Sequence, residues 1–329
     1  MSQNPFINRM REKAKAVNAK VAFPDAEDVR TLQAAEYLLK EKIAIPVLVG
    51  NPIEITKIAE SNNISLDGIE IVNPLVGELR KEFAGMLFEK RKCKGMTLQV
   101  ANDTMCDPVY FAGYMLETDM VQLVVAGNIS STGNVMRAAI YSVGVAPGIS
   151  IVSSFFIMTF PDKMYCFADC AVNPNPDYKQ LCDIAISSAN NFKSITGEEP
   201  KVAMLSFSTN GSAEHEMVEK VQEAAKLMKE KAPHIPSDGE MQLDAAIIPA
   251  IGQRKFPGSA VAGQANVLVF PDLNAGNIGY KLTERLAGAE AVGPIVQGLR
   301  KPYCDLSRGC STDDMITVTA ICSLMVDKK

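Results

Sequence analysis

The chain has 329 residues, 47% of them apolar and 22% charged, a composition that excludes intrinsic disorder and fits one large or two ordinary globular domains. Thirty-three Lys and Arg against 38 Asp and Glu give a net charge of −5, which argues against nucleic-acid binding through a global positive field; an anionic ligand needs a local cluster of cations. Eight scattered cysteines without a C-x-x-C spacing and only two histidines, His215 and His234, leave a zinc or haem site almost no ligands, and thiols behind a charged, helix-patterned N-terminus point to a reducing cytoplasm.

In chain order, helical and strand patterns alternate. Residues 4–18 read as a helix, and Val21-Ala22-Phe23 as a strand that stops at Pro24-Asp25. A helix over 28–42 precedes the apolar run Pro46-Val47-Leu48-Val49, closed by Gly50-Asn51-Pro52. After a further helical segment, Ile69-Glu70-Ile71-Val72 reads as a strand, and 77–93 as a long amphipathic helix ended by Gly95 at the position past a helix that glycine favours. Helices over 108–118 and 131–142 flank a strand over 121–125. This rhythm, with continuous apolar strands, predicts an α/β fold with a mostly parallel sheet covered by helices on both faces.

The pattern changes after Gly148. Strand-like runs over 149–158 and 164–167, separated by Phe160-Pro161-Asp162-Lys163, predict a hairpin, and a domain seam falls near 143–150. Helices over 176–194, 212–230, 276–287 and 311–325 then alternate with strands over 202–207, 266–270 and 291–296. Residues 138–161 carry no charge and are long enough to span a bilayer, but Gly144, Pro147 and Gly148 interrupt them, so a helix end, a turn and a buried strand explain them better. The chain reads as soluble. Asp25 and Asp272 both close a strand with Phe-Pro-Asp, a weak hint of an internal repeat.

Ligands of such sheets collect beyond the carboxyl ends of the strands. Four stretches stand out. Residues 80–97 carry six cations (Arg80, Lys81, Lys90, Arg91, Lys92 and Lys94) against Glu82 and Glu89, which reads either as a solvated helix end complementing its dipole or as a phosphate clamp. Residues 124–137 run from a strand through Gly127-Asn128-Ile129-Ser130-Ser131-Thr132-Gly133 into a helix bearing Arg137; the turn reads as an anion cradle or as a plain cap by Ser130 or Ser131, and it is neither a Walker loop nor a G-x-G-x-x-G. Residues 272–281 open a helix with Gly276 and Gly279, for turning or for close approach of a ligand. In 305–314, Ser311 or Thr312 caps the last helix, but capping leaves Ser307-Arg308 unexplained; a hydroxyl and a guanidinium ahead of a helix start suit an oxyanion. No Ser-His-Asp or Cys-His set is convincing, and His215 reads as a surface helix residue.

Together these stretches resemble the phosphate acetyl/butyryltransferase family, from the strand at Val21 to the last helix. The most specific segments are 201–213 (KVAMLSFSTNGSA), 239–246 (GEMQLDAA), 265–281 (ANVLVFPDLNAGNIGYK) and 305–311 (DLSRGCS). The resemblance implies the two-domain fold shared with isocitrate and isopropylmalate dehydrogenases, here 1–145 plus 298–329 and 146–297, with the site in the interdomain cleft and a homodimer through the second domain. It implies interconversion of acetyl-CoA plus phosphate with acetyl phosphate plus CoA by direct attack of the CoA thiol in a ternary complex, with no metal and no cofactor beyond CoA as a substrate, and with neither nucleic acid nor membrane as a partner. Butyryl transfer and a noncatalytic acetyl-CoA-sensing role are the alternatives; a nicotinamide-dependent dehydrogenase would need metal-binding aspartates that no cluster here supplies.

Carried over residue by residue, the resemblance makes Ser307, Arg308 and Asp314 catalytic, with Asp314 the general base. It makes Arg91, Arg137, Ser131, Thr132, Asn277 and Tyr280 substrate-binding. Two positions depart from the family pattern, Asn128 and Ala138, and both are expected beside the acyl-phosphate pocket. Proton transfer from a thiol near 8.5 to an aspartate near 3.9 is uphill by about 4.6 units, roughly 6 kcal/mol, so partial burial of Asp314 and acidification of the thiol by Arg308 are both expected. Cys310, close to the same helix start, is a thiol that such a position can acidify, although direct transfer needs no acyl-enzyme.

Overall fold

A computed structural model of the chain describes residues 4–326. In chain order its elements are α1 (Pro5–Val17), β1 (Ala19–Phe23), α2 (Val29–Lys40), β2 (Ala44–Val49), α3 (Pro52–Ser61), β3 (Glu70–Val72), α4 (Glu78–Arg91), α5 (Leu98–Thr104), α6 (Pro108–Glu117), β4 (Leu123–Ala126) and α7 (Thr132–Ser142). There follow β5 (Ser153–Thr159), β6 (Met164–Ala168), α8 (Tyr178–Thr196), β7 (Val202–Leu205), α9 (Glu216–Lys231), β8 (Ser237–Met241), α10 (Leu243–Ile247), α11 (Pro249–Lys255), β9 (Val267–Val269), α12 (Leu273–Ala287) and β10 (Glu290–Gln297), and finally β11 (Tyr303–Asp305) and α13 (Thr312–Ser323). Two compact units result: one runs to Gly144 and resumes at Leu299, and the other is Val145–Gly298.

The first unit holds a five-stranded sheet in the order β11-β4-β1-β2-β3, parallel throughout. Its helices begin where short polar side chains accept first-turn N–H groups, as Asn4, Asp28, Asn51, Thr97, Asp107 and Ser131 all do, and α1, α3 and α6 carry proline in the first turn, where no N–H partner is needed. Strand alternation divides the sheet into two buried faces. Ala22, Val47, Val49, Val124 and Ala126 join Phe83, Leu87, Phe111, Tyr114 and Val135 from α4, α6 and α7 in one core. Val21, Phe23, Leu48 and Val125 are buried on the other face, where α1, α2 and α13 pack together. Each such large side chain contributes roughly 1.5–3 kcal/mol by leaving water.

The second unit holds six strands in the order β10-β5-β6-β9-β7-β8. It is parallel apart from one edge: the expected hairpin forms, residues 160–163 turning the chain straight back so that β5 is antiparallel to β6, and β10 pairs antiparallel with the other side of β5. The strand expected from 149 starts at Ser153, since Ser150 gives its N–H and hydroxyl to Asp183 at 2.8 and 2.6 Å. The helix expected from 212 starts at Glu216. His215 is its cap rather than a helical residue, its Nδ1 accepting the Met217 N–H at 3.1 Å. The helix expected from 276 starts at Leu273, where Asp272 accepts the Ala275 N–H at 3.0 Å. No helix among the described residues is long and apolar enough to cross a membrane.

Candidate active site

Parallel β4 and β11 are neighbours, so the turns that leave their carboxyl ends lie side by side, Leu306 N–H donating to Ala126 O at 2.7 Å. The turn after β4 is built on Asp25, a buried carboxylate just beyond β1. It accepts the N–H groups of Gly127, Ile129 and Ser130 at 2.7, 3.2 and 3.3 Å and the Ser130 hydroxyl at 2.6 Å. Gly127 has φ +106, and a Cβ there would stand 2.3 Å from Asp305 Oδ1 and 2.6 Å from the Leu306 N, so only glycine fits. Ser130 is thereby spent on Asp25, and Ser131 caps α7, its Oγ accepting the Asn134 N–H at 3.3 Å. Ser131, Thr132 and Gly133 are exposed, and a helix start leaves its first N–H groups without intrahelical partners.

Arg137 lies a turn and a half into α7, is exposed, and stands near enough to the Tyr110 hydroxyl to oppose the upward shift that burial gives it. Tyr110 meets Tyr141 edge to face with centroids 6.1 Å apart, and the Arg91 guanidinium lies 3.8 Å from the Tyr141 ring centre. The aromatic pair therefore holds Arg91 at one end in a cation–π geometry suited to a planar guanidinium, with Arg137 near the other. The rest of the basic stretch is partly occupied in the framework: Lys90 donates to Glu117 at 2.8 Å and to Ser142 O at 2.6 Å, and Lys81 pairs with Glu78.

In the turn after β11, Ser307 and Arg308 are both exposed. Ser307 Oγ accepts the Gly309 N–H at 3.3 Å, and the Arg308 side chain makes no hydrogen bond or ion pair among the described residues. Asp314 is the third residue of α13. Its Oδ2 accepts the Ser311 N–H and hydroxyl, both at 2.8 Å, while Ser311 Oγ accepts the Asp314 N–H at 3.1 Å, a complete capping box. The expected partial burial of Asp314 is corrected: it is exposed. Cys310 is corrected too. It is buried, and burial pushes its thiol up to about 11, with Arg30 only partly opposing that.

Three residues that sequence reasoning passed over shape these turns: Asp25, Arg30 and Asp305. Burial raises the Asp305 carboxyl to about 6; Asp25 adds to the rise, and a hydrogen bond from Thr132 opposes it. Its Oδ1 is buried with no hydrogen-bond partner among the described residues. The departures at Asn128 and Ala138 read differently in three dimensions. Both are buried, and Asn128 Nδ2 donates to Thr31 Oγ1 at 3.0 Å, so its side chain belongs to the framework under the turn.

Asn277 and Tyr280 lie in the second unit, on α12. Asn277 Nδ2 donates to Cys170 O at 3.1 Å, and the Tyr280 ring stacks on Phe156 at 4.2 Å. The helix glycines serve close approach of the protein to itself: a Cβ on Gly276 would stand 2.2 Å from Asp169 O, and one on Gly279 3.0 Å from the Phe270 ring.

Comparison with known proteins agrees with these motifs. The family model described as phosphate acetyl/butaryl transferase matches residues 5–323. A phosphate acetyltransferase of Acetivibrio thermocellus is 47% identical over 322 residues, 96% of each chain. A phosphotransacetylase structure from Streptococcus pyogenes superposes with a TM-score of 0.94 at 38% identity, covering 99% of each chain. A 4-hydroxythreonine-4-phosphate dehydrogenase from Klebsiella pneumoniae shares the fold alone, with a TM-score of 0.58 at 10% identity over 94% of this chain and all of that one. On sequence, motifs and architecture alike, the chain belongs to the phosphate acetyl/butaryl transferase family.

Proposed function

We propose that this chain interconverts acetyl-CoA plus phosphate with acetyl phosphate plus CoA. The observation that carries the reading is the exposed Ser307-Arg308 pair beside the open start of α7, with Arg137 further along that helix and Arg91 held over the Tyr141 ring. In this reading Arg91 and Arg137, with Ser131 and Thr132, bind the anionic groups of the substrates. The CoA sulfur attacks the acetyl carbonyl, the S–C bond forms as the C–O bond of the mixed anhydride breaks, and phosphate leaves with the bonding pair. Arg308 neutralises charge as that bond breaks, and Ser307 donates to the developing oxyanion. The thiol proton passes to Asp314 through Oδ1, the oxygen that the capping box leaves unused. Asn277 and Tyr280 are the second unit's share of substrate binding.

No step calls for a metal or for a cofactor other than CoA, which is consumed as a substrate. Ile278, Leu282 and Leu286 form an exposed apolar row at helical spacing on α12, which supports a homodimer through the second unit. The eight cysteines are all free thiols, which supports a cytoplasmic setting. The reading is tested by thioester formation from CoA with acetyl phosphate and butyryl phosphate side by side. Faster turnover with acetyl phosphate is expected. A preference for butyryl phosphate would reassign the acyl group, and binding of acetyl-CoA without turnover would make the chain a sensor.

A further inference from the structure

Arg30, near the start of α2, uses every donor it has. Asp28, the α2 cap, accepts the Arg30 N–H at 2.8 Å and takes the guanidinium in a fork, Nε at 3.0 and 3.1 Å and Nη2 at 2.5 Å. The other edges of the same plane face backbone carbonyls. Nη1 donates to Arg308 O at 2.9 Å and Cys310 O at 2.7 Å, and Nη2 donates to Asn128 O at 3.2 Å. An arginine side chain has five N–H donors, and here each has a protein acceptor, which leaves none for a ligand.

Those carbonyls belong to the two turns of the candidate site. Beyond the bond from Leu306 N–H to Ala126 O, no backbone hydrogen bond joins residues 127–131 to 307–310 among the described residues. The relative position of the turns therefore rests on side chains, and Arg30 is the one that grips both. The grip also turns two carbonyl oxygens of the Ser307–Cys310 turn toward a cation, which satisfies their negative ends within the protein. Asn128 completes the arrangement: its carbonyl meets Arg30 while its amide meets Thr31 on the same helix.

We propose that Arg30, held by Asp28, is a positioning residue that sets Ser307 and Arg308 against the start of α7 for the acyl transfer; the role rests on the reading of the reaction given above. Two of its three carbonyl contacts fall on the Arg308 side, so its loss falls mainly on the group that meets charge as the anhydride breaks. A misplacement of about 1 Å at such a group costs on the order of 10²-fold in rate. Lysine, a point charge with three donors, cannot replace the planar fork.

The test uses the full chain with Arg30→Ala and Arg30→Lys, measuring acetyl-CoA formation, circular dichroism and thermal midpoint. Arg30→Ala is expected to lose about 10²-fold in kcat while KM for acetyl phosphate moves by less than about threefold. Guanidinium ion at tens of millimolar (roughly) should return at least about tenfold of that loss in Arg30→Ala and nothing in Arg30→Lys, a readout that a purely structural role would not move. A folded Arg30→Ala protein with near-normal kcat, or one whose loss guanidinium does not repair, overturns the proposal. If Arg30→Ala does not fold, a folded Arg30→Lys protein decides: a loss of tenfold or more (roughly) in kcat supports the role and near-normal kcat refutes it. If neither folds, Arg30 is a fold determinant and the proposal fails. Absence of thioester formation by the unsubstituted protein would sink the reaction instead. In that case faster amide exchange over 307–311 in the variants still supports the grip, and unchanged exchange refutes it.

Discussion

The turn from β11 into α13 and the turn from β9 into α12 begin alike. Each leaves the carboxyl end of a parallel strand and enters a helix through a capping side chain, Ser311 in one and Asp272 in the other. They differ in how their polar groups are used. On α12, Asn277 is bonded to Cys170 O, Tyr280 is stacked on Phe156, and an apolar row of Ile278, Leu282 and Leu286 is exposed alongside Lys281 and Arg285. After β11, Ser307 and Arg308 face outward, and the guanidinium has no protein partner among the described residues. The buried aspartates of the two units repeat the contrast. Asp169 accepts from Ser154, Ala171, Val172 and Asn173, whereas Asp305 keeps one oxygen with no donor. Polar capacity left unspent in a well-bonded framework marks a place where a ligand can complete the bonding.

The largest test of that contrast removes the unspent cation. Arg308→Ala is expected to lower kcat by about 10²–10³-fold, the scale for losing a preorganised group at a developing charge. The thermal midpoint should stay near that of the unsubstituted protein, because no ion pair is lost. Kinetics and a melting curve on one preparation decide it: a large fall in midpoint alongside the lost activity would move Arg308 into the framework and erase the difference between the two turns.

Asp314 is the intermediate case, since it caps a helix with one oxygen and is assigned the thiol proton with the other. Asp314→Asn keeps the cap acceptor, so the stability cost should stay below about 1 kcal/mol. Turnover is expected to fall by at least about 10²-fold at neutral pH and to recover partly as pH nears the thiol value of about 8.5, where thiolate forms unaided. KM for acetyl phosphate should change little, because Arg91 and Arg137 sit on other elements. Near-normal turnover at neutral pH would reduce Asp314 to its capping role and leave Arg308 as the main source of catalysis.

Local chemistry was legible in the sequence where it depends on near neighbours. The end of the first strand at Phe23, the caps at Ser131 and Ser311, the αL glycine at Gly95 and the Ser307-Arg308 pair all follow from residues within a turn of one another. What could not be read were pairings across the chain. Arg30 meets carbonyls 278 and 280 residues away, and Asp25 meets an N–H 102 residues away. Nothing local distinguishes the two Phe-Pro-Asp strand ends, yet Asp25 organises a distant turn while Asp272 caps its own helix. The strand β8, Ser-Asp-Gly-Glu-Met, lacks an apolar run because tertiary bonds satisfy its acids: Lys229 pairs with Asp238, and Glu240 accepts from Ser208 and Gly211. Its composition hid it.

The finest test concerns Asp305, the aspartate left short of donors. Its carboxyl is raised from the ordinary 3.8 to about 6, first by burial and then by Asp25, with the Thr132 hydrogen bond opposing. A native value above the unfolded one means that the folded protein holds the proton more tightly. The stability this brings is complete below the unfolded value and is lost as pH rises through about 6. A shift of that size corresponds to about 3 kcal/mol once the group is ionised. A protonated acid also suits a buried oxygen that no donor approaches, because a hydroxyl there can give a hydrogen bond instead of needing one. Asp305→Asn substitutes a neutral group of the same shape, so it should remove this contribution to the pH dependence between about 4 and 7 and raise stability at neutral pH by about 1–2 kcal/mol. Denaturant midpoints of both proteins across that range measure the difference directly. Parallel curves would show that Asp305 ionises as readily in the fold as out of it, and the contrast with the saturated Asp169 would then be one of hydrogen bonding alone.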